Sequence, residues 1–293
     1  MVADNSIKNR RLIIVSGLSG AGKSHVLNTL EDQGYYCIDN LPISLFNQMA
    51  SLLIDPDSGF PFKVGVGIDA RSPAPELASL PDSISQLRNK GVAIEIVFME
   101  ANKDVLTMRF SETRRKHPLS SDEISLPDAI DKEQEILSAL SDIADLKIDT
   151  SFTTVHGLRD LICERMVERP EHTMSMQFVS FGYKHGAPHD ADFLFDVRCL
   201  PNPHWERHLR PYTGKDRAVI DFLRQHDTVN DMIDNIRTFL ETWIPYFEHE
   251  NRSYLCIGIG CTGGHHRSVY LVEQLSRYFK DKGMHVVVRH RDL

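Results

Sequence analysis

The amino-acid sequence predicts an α/β protein in which a parallel sheet with helices on both faces is followed by a second, smaller α/β domain. In the first half, short apolar, β-branched runs alternate with segments of helical spacing, which is the pattern of β-α units. The order strand, glycine-rich loop, helix occurs twice, beginning near residue 11 and again near residue 253. A charged stretch without apolar periodicity separates the two halves.

The first half is predicted to contain five strands separated by helices. The strands are apolar and β-branched runs, of which R-L-I-I-V-S is the first, and are expected at residues 11–16, 35–39, 62–69, 92–99 and 146–149. Apolar residues at helical spacing predict helices at residues 25–33, 41–53, 103–116, 127–144 and 155–168. Stretches 56–61 and 72–81 are rich in Pro, Ser and Asp and are predicted to be loop insertions.

The boundary between the domains is expected in residues 167–173, V-E-R-P-E-H-T, and divides the chain into 1–168 and 169–293. Beyond it, strands are predicted at residues 174–181, 193–197 and 253–260. The apolar residues of 229–244 form one stripe of a long helix, which we interpret as core rather than as a partner-binding face. A second glycine-rich loop leads into a helix that extends through residue 278.

The composition is that of a soluble globular protein with two domains of ordinary size. Of its 293 residues, 41% are hydrophobic and 25% are charged. The net charge of −8 means that the surface as a whole repels nucleic acid, so RNA binding requires a local basic patch. The five cysteines form no C-x-x-C pair, and no segment has the character of a signal peptide or a membrane span. These features predict a cytoplasmic protein that makes no membrane contact.

Residues 17–24 read G-L-S-G-A-G-K-S and match the phosphate-binding loop G-x-x-x-x-G-K-[ST] in full. Its glycines allow backbone N–H groups to surround a phosphate, Lys23 offers an ammonium group to the β and γ oxygens, and Ser24 can ligate Mg²⁺. The motif therefore predicts a nucleoside triphosphate, ATP or GTP, bound with Mg²⁺; the alternative is a glycine-rich turn capped by Ser24. The predicted binding residues are Gly17, Leu18, Ser19, Gly20, Ala21, Gly22, Lys23 and Ser24.

A protein with this loop usually carries an acidic residue at the end of a neighbouring strand, where it holds a metal-bound water or orients the nucleophile. Asp39, Asp69 and Glu100 are the candidates, because each lies at or after a predicted strand end. We favour Asp69 as the residue that orients water and assign Lys23 and Asp69 to the catalytic residues. The alternative for any of these carboxylates is an N-cap or a turn.

The segment 109–118 is dense in arginine and places Arg109, Arg114 and Arg115 on one predicted helix and its end. This density suits closure over transferred phosphates and resembles the lid of a small nucleotide kinase. Together with the order of the strands, it favours a P-loop kinase-like sheet, and it adds Arg114 and Arg115 to the catalytic residues. The alternative interpretation is a solvated helix face, as most charged runs are.

Residues 261–268, C-T-G-G-H-H-R-S, have the C-x₅-R spacing of cysteine-dependent phosphatases, in which loop N–H groups and an arginine hold a phosphate. We favour a phosphate or phosphosugar site over phosphatase chemistry, because Gly260 stands where such enzymes carry histidine; a structural glycine turn is the third interpretation. Asp196 is added to this site, although it can equally pair with Arg198 across strands or in a turn. The predicted contacts are Asp196, Cys261, Thr262, Gly263, Gly264, His266 and Arg267.

Taken together, these motifs resemble the RapZ family of bacterial P-loop proteins, also called the RNase adapter or YvcJ-type family, over nearly the whole chain. The motifs that carry the resemblance are residues 17–24, 36–42, 69–72, 113–119, 149–151, 181–186, 196–198, 200–203 and 260–268. The resemblance implies ATP binding at residues 17–24 and slow hydrolysis of ATP and GTP. It also implies contacts with GTP at Asp69, Ala70, Arg71 and Ser72.

The RapZ family includes members whose second domain senses an amino-sugar phosphate and presents a small RNA to a ribonuclease. The resemblance therefore implies a sensor pocket at residues 261–267 and a regulatory role. Members with the RNA role carry a basic tail, whereas only Arg289 and Arg291 lie near the end of this sequence, which argues against RNA binding. RNA, a ribonuclease and a second copy of the chain are the further partners considered. The rival functions are a small-molecule kinase and a non-catalytic adapter.

Overall fold

A computed structural model describes residues 10–55, 57–113, 115–121, 123–167, 173–250 and 252–293. The chain divides into two compact units, Met1–Val167 and Glu168–Leu293. The boundary predicted between residues 168 and 169 lies outside the described residues. No helix in the described part of the chain is long and apolar enough to cross a membrane.

The first unit contains a parallel sheet of five strands in the order β2-β3-β1-β4-β5. The strands are β1 (Arg11–Gly17), β2 (Tyr36–Ile38), β3 (Lys63–Gly67), β4 (Ala93–Glu100) and β5 (Leu146–Asp149). The central strand, β1, pairs with β3 on one side and β4 on the other, so that Ile13 lies opposite Gly65 and Glu95. The phosphate-loop sequence therefore leaves the sheet at the carboxyl end of its central strand, where ligands of parallel sheets bind.

The helices of the first unit lie on both faces of this sheet. They are α1 (Lys23–Asp32), α2 (Ile43–Ile54), α3 (Ala74–Asn89), α4 (Lys103–Thr113), α5 (Leu126–Asp142) and α6 (Val155–Ile162), which continues as a π-helical turn (Cys163–Val167). Successive strand side chains point to opposite faces. Leu12 and Ile14 pack in one core with α2, α3 and α5, whereas Leu27 and Leu30 of α1 lie beside Gly65 on the other face. The predicted fold class is confirmed.

The loop predicted at residues 72–81 is wrong, because most of this stretch belongs to α3. The helix buries one apolar face whose members recur at helical spacing: Leu77, Leu80, Ile84 and Leu87. Pro75 lies in the first turn, where a helix tolerates proline, and Pro81 lies inside the helix. The two prolines give the segment the composition of a loop although its apolar period is helical.

The second unit contains a parallel sheet of four strands in the order β7-β8-β6-β9. Its strands are β6 (Ser175–Gly182), β7 (Phe193–Asp196), β8 (Tyr254–Cys261) and β9 (His285–His290), and its helices are α7 (Arg217–Arg224), α8 (Asp227–His249) and α9 (Arg267–Asp281). Helix α9 packs against β6, β8 and β9. The second strand, glycine loop and helix unit is thus present as predicted, whereas α7 and β9 were not predicted.

The apolar stripe of α8 is only partly core. Val229, Ile236, Leu240 and Ile244 are buried in the core of the second unit. Phe239 and Trp243 are 37% and 46% exposed, so their assignment to the core is wrong. Their rings contact each other at the side of the helix, with Phe239 also packed on Phe193 and Phe195 of β7.

Candidate functional site

A cavity of about 640 Å³ lies above the phosphate loop in the first unit. Its size suits a small-molecule ligand such as a nucleotide. Residues 19–25 line it, and the remaining lining residues come from strand ends, from α4 and the segment that follows it, and from the start of α6. These wall residues are Asp39, Asp69, Arg109, Phe110, Glu112, Thr113, Arg115, Lys116, Pro118, Thr150, Thr153, Thr154, Val155 and Leu158. The structure therefore brings the loop, two of the candidate carboxylates and part of the arginine segment to one cavity.

The loop takes its shape because glycine stands where side chains have no room. Gly17 has φ 131°, and a Cβ atom there would overlap the backbone of Met99 on the neighbouring strand. Leu18 donates its N–H to the Met99 oxygen at 2.9 Å, which fixes the loop to β4. Gly22 has φ 105° immediately before α1, a left-handed conformation that glycine adopts without strain.

The loop presents unused backbone donors at the start of α1. Within the described residues, no protein acceptor takes the N–H groups of Gly20, Gly22, Lys23 or Ser24. These groups line the cavity together with the positive end of the helix dipole. Such an arrangement is a binding site for a phosphate group.

Lys23 is folded back over the loop, where its Nζ atom donates to the oxygen of Gly17 at 2.6 Å. Burial lowers the pKa of Lys23, and the nearby carboxylates of Glu133, Asp69 and Asp39 oppose that shift. The three carboxylates therefore favour the charged form of the ammonium group against the effect of burial. A triphosphate would offer it further anionic oxygens.

Asp69 is buried and forms an ion pair with Arg71. Its Oδ2 accepts from the Nε and Nη2 atoms of Arg71 at 2.8 and 2.5 Å, and its Oδ1 accepts the Arg71 N–H at 3.0 Å. The carboxylate raises the pKa of Arg71. Of the four predicted residues 69–72, only Asp69 lines the cavity, and Ala70, Arg71 and Ser72 do not.

Asp39 shares the cavity wall with Asp69, whereas Glu100 does not line the cavity. The backbone oxygen of Glu100 accepts the N–H and the hydroxyl of Thr150 at 2.9 and 3.1 Å. Among the three candidate carboxylates, the structure thus places Asp39 and Asp69 near the phosphate loop. Glu100 contributes its backbone to the connection between β4 and the end of β5.

The arginine segment divides into residues with different surroundings. Arg109 donates to the oxygens of Gly20 and Thr150 at 3.0 and 2.7 Å and to the Thr150 hydroxyl at 3.1 Å. Burial lowers the pKa of Arg109. Arg115 is exposed and lines the cavity beyond the end of α4, while Arg114 lies outside the described residues. Arg109 therefore braces the loop, and Arg115 is available to a ligand.

The donor set around Ser24 fits Mg²⁺ carried by phosphates. The Ser24 hydroxyl lies in the first turn of α1, and the carboxylates of Asp39 and Asp69 line the same cavity. Mg²⁺ in such sites keeps several waters and binds one or two protein oxygens together with phosphate oxygens. Within the described residues, no group of three or more His, Cys, Asp or Glu side chains could hold a metal ion.

A buried carboxylate beneath the loop was not predicted. Glu133 of α5 is fully buried and accepts the N–H of Ser19 at 2.8 Å and its hydroxyl at 2.7 Å. His117 lies 3.0 Å from the same carboxylate through Nε2. The available signal was an acidic residue on the apolar stripe of a helix, because Glu133 continues the spacing of Ala129, Ile130, Leu137 and Leu140.

The second glycine loop borders a cavity of about 300 Å³ in the second unit. Five predicted residues line it: Cys261, Thr262, Gly263, His266 and Arg267. It is also lined by Lys184, Asn202, His204, Arg210 and His265, which were not among the predicted contacts. No carboxylate is among these lining residues, and the helix α9 begins at the loop, so the cavity suits an anion.

Two predicted members of this second site do not line the cavity, namely Asp196 and Gly264. Asp196 pairs with Arg198 two residues later, at 2.7 Å between Oδ2 and Nη2, which is the turn arrangement considered as the alternative. The hydrogen bond from Arg198 keeps the pKa of Asp196 below its ordinary value. Arg198 also lies over the ring of Tyr183.

The side chains of the C-x₅-R motif are partly committed to the protein. Arg267 is buried and donates through Nη1 to the oxygens of Arg198 and Leu200 at 2.8 and 3.0 Å. The Cys261 Sγ atom accepts the Gly264 N–H at 3.2 Å and lies 3.2 Å from the Ser268 hydroxyl. Burial raises the pKa of Cys261, but the hydrogen bonds from Ser268 and Gly264 and the charge of Arg267 bring it below the ordinary value.

Comparison with known proteins matches the chain over both units. A family described as the RapZ-like N-terminal domain matches residues 10–169, and one described as the RapZ C-terminal domain matches residues 174–293. A nucleotide-binding protein of Nitrosococcus oceani is 50% identical over 283 residues, covering 97% of this chain and 99% of its own. One of Marinobacter nauticus is 49% identical over 284 residues, covering 97% of each chain.

Among solved structures, shikimate kinase from Acinetobacter baumannii in complex with shikimate is similar over 56% of this chain and 97% of its own. Its sequence identity is 14% and the TM-score is 0.36. A sugar kinase from Janibacter is similar over 54% of this chain and 92% of its own, with 14% identity and a TM-score of 0.34.

Proposed function

The chain belongs to the RapZ family of nucleotide-binding proteins, and we propose that it binds ATP or GTP with Mg²⁺ above the phosphate loop and hydrolyses both slowly. The observation that carries the proposal is the group of uncommitted N–H donors at Gly20, Gly22, Lys23 and Ser24 in one cavity. Its geometry supports charge stabilisation on phosphates rather than covalent chemistry by the protein.

The roles proposed for the side chains follow from their places around this cavity. Lys23 would exchange the Gly17 oxygen for phosphate oxygens, and Ser24 would hold Mg²⁺, which supplies charge neutralisation when bound. Asp69 would orient the attacking water, with its direction fixed by Arg71. Arg115 would close over the transferred group, a role also proposed for Arg114.

Steady-state phosphate release from ATP and from GTP tests this proposal. We expect slow release that Lys23→Ala abolishes and that Lys90→Ala, at an exposed lysine of the same unit, leaves unchanged. Asp69→Asn is expected to lower turnover while nucleotide binding persists, because the amide keeps the shape but loses the charge that orients water. Equal release by wild type and Lys23→Ala at saturating ATP would contradict the assignment.

A small-molecule kinase is the second candidate function of the first unit. It is favoured by Arg115 and Lys116, which place two cationic side chains on the wall of the cavity that Asp39 and Asp69 also line. A kinase requires an acceptor, so the same assay is repeated with a cell metabolite extract. A many-fold increase in turnover, with the γ-phosphate recovered on a small molecule, would replace the slow-hydrolysis proposal.

We propose that the second unit binds a phosphorylated metabolite of the amino-sugar phosphate class and thereby gives the protein a regulatory role. Support comes from the cavity lined by Lys184, Arg210 and the loop at the start of α9. Calorimetric titration with an amino-sugar phosphate should show binding, and the sugar without phosphate should not bind. Lys184→Ala is expected to weaken binding, and Lys280→Ala, at an exposed lysine of α9, serves as the control.

An action on RNA turnover through RNA or a ribonuclease is proposed on the family membership alone. The net charge of −8 opposes it. If RNA binds, its affinity must fall steeply as salt rises, because phosphate contacts by Lys and Arg release counterions. Filter binding of small RNAs at two salt concentrations decides this point, and light scattering of the same samples measures whether the chain self-associates. A cytoplasmic location is part of the same proposal.

A further inference from the structure

We propose that Glu133 and His117 are positioning residues of the nucleotide site, which fix Ser19 of the phosphate loop and join it to the segment that follows α4. Neither residue is one of the residues assigned above to binding or catalysis. The inference rests on the proposed nucleotide function of the first unit. It deepens that function by explaining how the loop is held in its shape before a nucleotide arrives.

Both donors of Ser19 are directed at one buried carboxylate. The Glu133 Oε2 atom accepts the Ser19 N–H at 2.8 Å, and Oε1 accepts the Ser19 hydroxyl at 2.7 Å. The side chains of Glu133 and His117 are both 0% exposed. Two bonds to the same residue prevent rotation of the peptide at Ser19, so this point of the loop has a single orientation.

The geometry assigns the proton between Glu133 and His117. The Nδ1 atom of His117 accepts the N–H of Leu119 at 3.1 Å, so it carries no proton. The proton is therefore on Nε2, which donates to Glu133 across 3.0 Å. Glu133 receives three hydrogen bonds as an ionised carboxylate, and its pKa lies below the ordinary value because these donors and Lys23 outweigh burial.

Burial of the Glu133 carboxylate on the core face of α5 carries a desolvation penalty. A leucine would continue the apolar stripe formed by Ile130 and Leu137 without taking a charge out of water. The carboxylate instead satisfies a loop N–H that would otherwise have no partner, and it leaves the N–H groups of Gly20, Gly22, Lys23 and Ser24 for phosphate. This division of donors is a form of preorganisation for anion binding.

The hydrogen bond between His117 and Glu133 links the phosphate loop to the arginine segment. Arg115, Lys116 and Pro118 line the nucleotide cavity, and His117 between them points away into the core. Its ring also lies 5.2 Å from the ring of Phe110, which is on α4. Glu133 therefore anchors two parts of the nucleotide site. It holds Ser19 of the phosphate loop directly and, through His117, the segment that carries Arg115 and Lys116.

Glu133→Gln tests whether the hydrogen bonds of this carboxylate to Ser19 and His117 support nucleotide binding. The amide has one acceptor oxygen for three donors, so at least one donor from Ser19 or His117 is left unpaired. We expect the dissociation constant for ATP to rise about 10-fold or more. Hydrogen exchange of the nucleotide-free protein should be faster in peptides that contain residues 17–24. Glu135→Gln, at an exposed position of the same helix, is the matched control and should change neither measurement.

A pair of substitutions at His117 provides the second measurement and applies even if Glu133→Gln does not fold. His117→Ala removes the donor to Glu133 and is expected to weaken ATP binding, whereas His117→Gln retains an N–H and should restore most of the affinity. A folded Glu133→Gln variant with wild-type ATP affinity, or equal affinity of His117→Ala and wild type, overturns the inference. Absence of ATP and GTP binding by wild type instead overturns the proposed function.

Discussion

Gly17 lies where β1 passes into the phosphate loop, and a side chain there has no room. Gly17→Ala combines a positive φ of 131° with overlap against the Met99 backbone, so we expect a loss of roughly 3 kcal/mol in unfolding free energy. Gly34→Ala is the control, since Gly34 has φ 83° but no atom within 4 Å of an added Cβ. That variant should lose only about 1 kcal/mol. Urea unfolding compares them, and equal losses would contradict the steric argument.

Arg109 and Arg115 are expected to have different roles, because Arg109 stabilises the phosphate loop whereas Arg115 is available to contact a ligand. Arg109 makes three hydrogen bonds to Gly20 and Thr150, so Arg109→Ala should lower the unfolding free energy by roughly 2 kcal/mol. Arg115 is exposed and should lose less than about 0.5 kcal/mol in the same substitution. Arg115→Ala should instead lower turnover. Urea unfolding and phosphate release are measured on both variants, and the reverse order of stabilities would contradict this account.

The ionised state of Glu133 predicts a pH dependence of stability. Its folded pKa lies below the ordinary value of 4.5, so its contribution is present above pH 4.5 and is lost as the pH falls through the folded pKa. The groups that act on it are His117, Lys23 and Ser19. We expect the stability difference between wild type and Glu133→Gln to be constant near neutral pH and to shrink on acidification below pH 4.5. A difference that grows at low pH would show that the carboxyl is protonated in the folded protein.

At the scale of elements, α3 shows where local patterns mislead. Pro81 inside this helix has no N–H to donate to the carbonyl of Leu77, whereas Pro75 lies in the first turn, where the N–H would be unpaired anyway. Pro81→Ala is therefore expected to raise the unfolding free energy of the first unit by about 1 kcal/mol. This net gain already includes the opposing effect that the unfolded chain is more flexible without proline. Pro75→Ala should not stabilise. Thermal unfolding of both variants measures the difference, and equal shifts would contradict the helical account.

Strands and helices with a continuous apolar period could be predicted, because the pattern is contained in each segment. β1 and β4 are rich in buried apolar residues, with Glu95 the one charged residue inside β4, and their bounds agree with the expectation to within about a residue. β9 is different, since it ends in Arg289 and His290, and its place depends on contacts made elsewhere in the chain. His290 bonds Ser180 at 2.8 Å and Glu273 at 2.9 Å, which no segmental pattern reveals.

The candidate site also combines features that a local segment predicts with features that depend on contacts between distant segments. The phosphate loop is a local motif, and its strand, turn and helix lie as predicted. Glu133 is separated from Ser19 by 114 positions, and Arg109 from Gly20 by 89. Such contacts depend on how α4 and α5 pack around the sheet, so the sequence motif predicts the ligand class but not the residues that hold the loop.

The regulatory proposal requires the two units to communicate, and this gives a prediction for the whole molecule. If nucleotide and amino-sugar phosphate influence each other, thermodynamic linkage requires the same factor in both directions. We expect ATP to change the affinity for the sugar phosphate about 5-fold or more, and the sugar phosphate to change ATP affinity by the same factor. Calorimetric titrations in both orders measure the two factors. Lys184→Ala, which removes a cation from the second cavity, should abolish the effect on ATP while leaving ATP binding itself intact. If both ligands bind but neither changes the affinity for the other, the two sites are independent. That result would contradict the proposal of a nucleotide-dependent sensor.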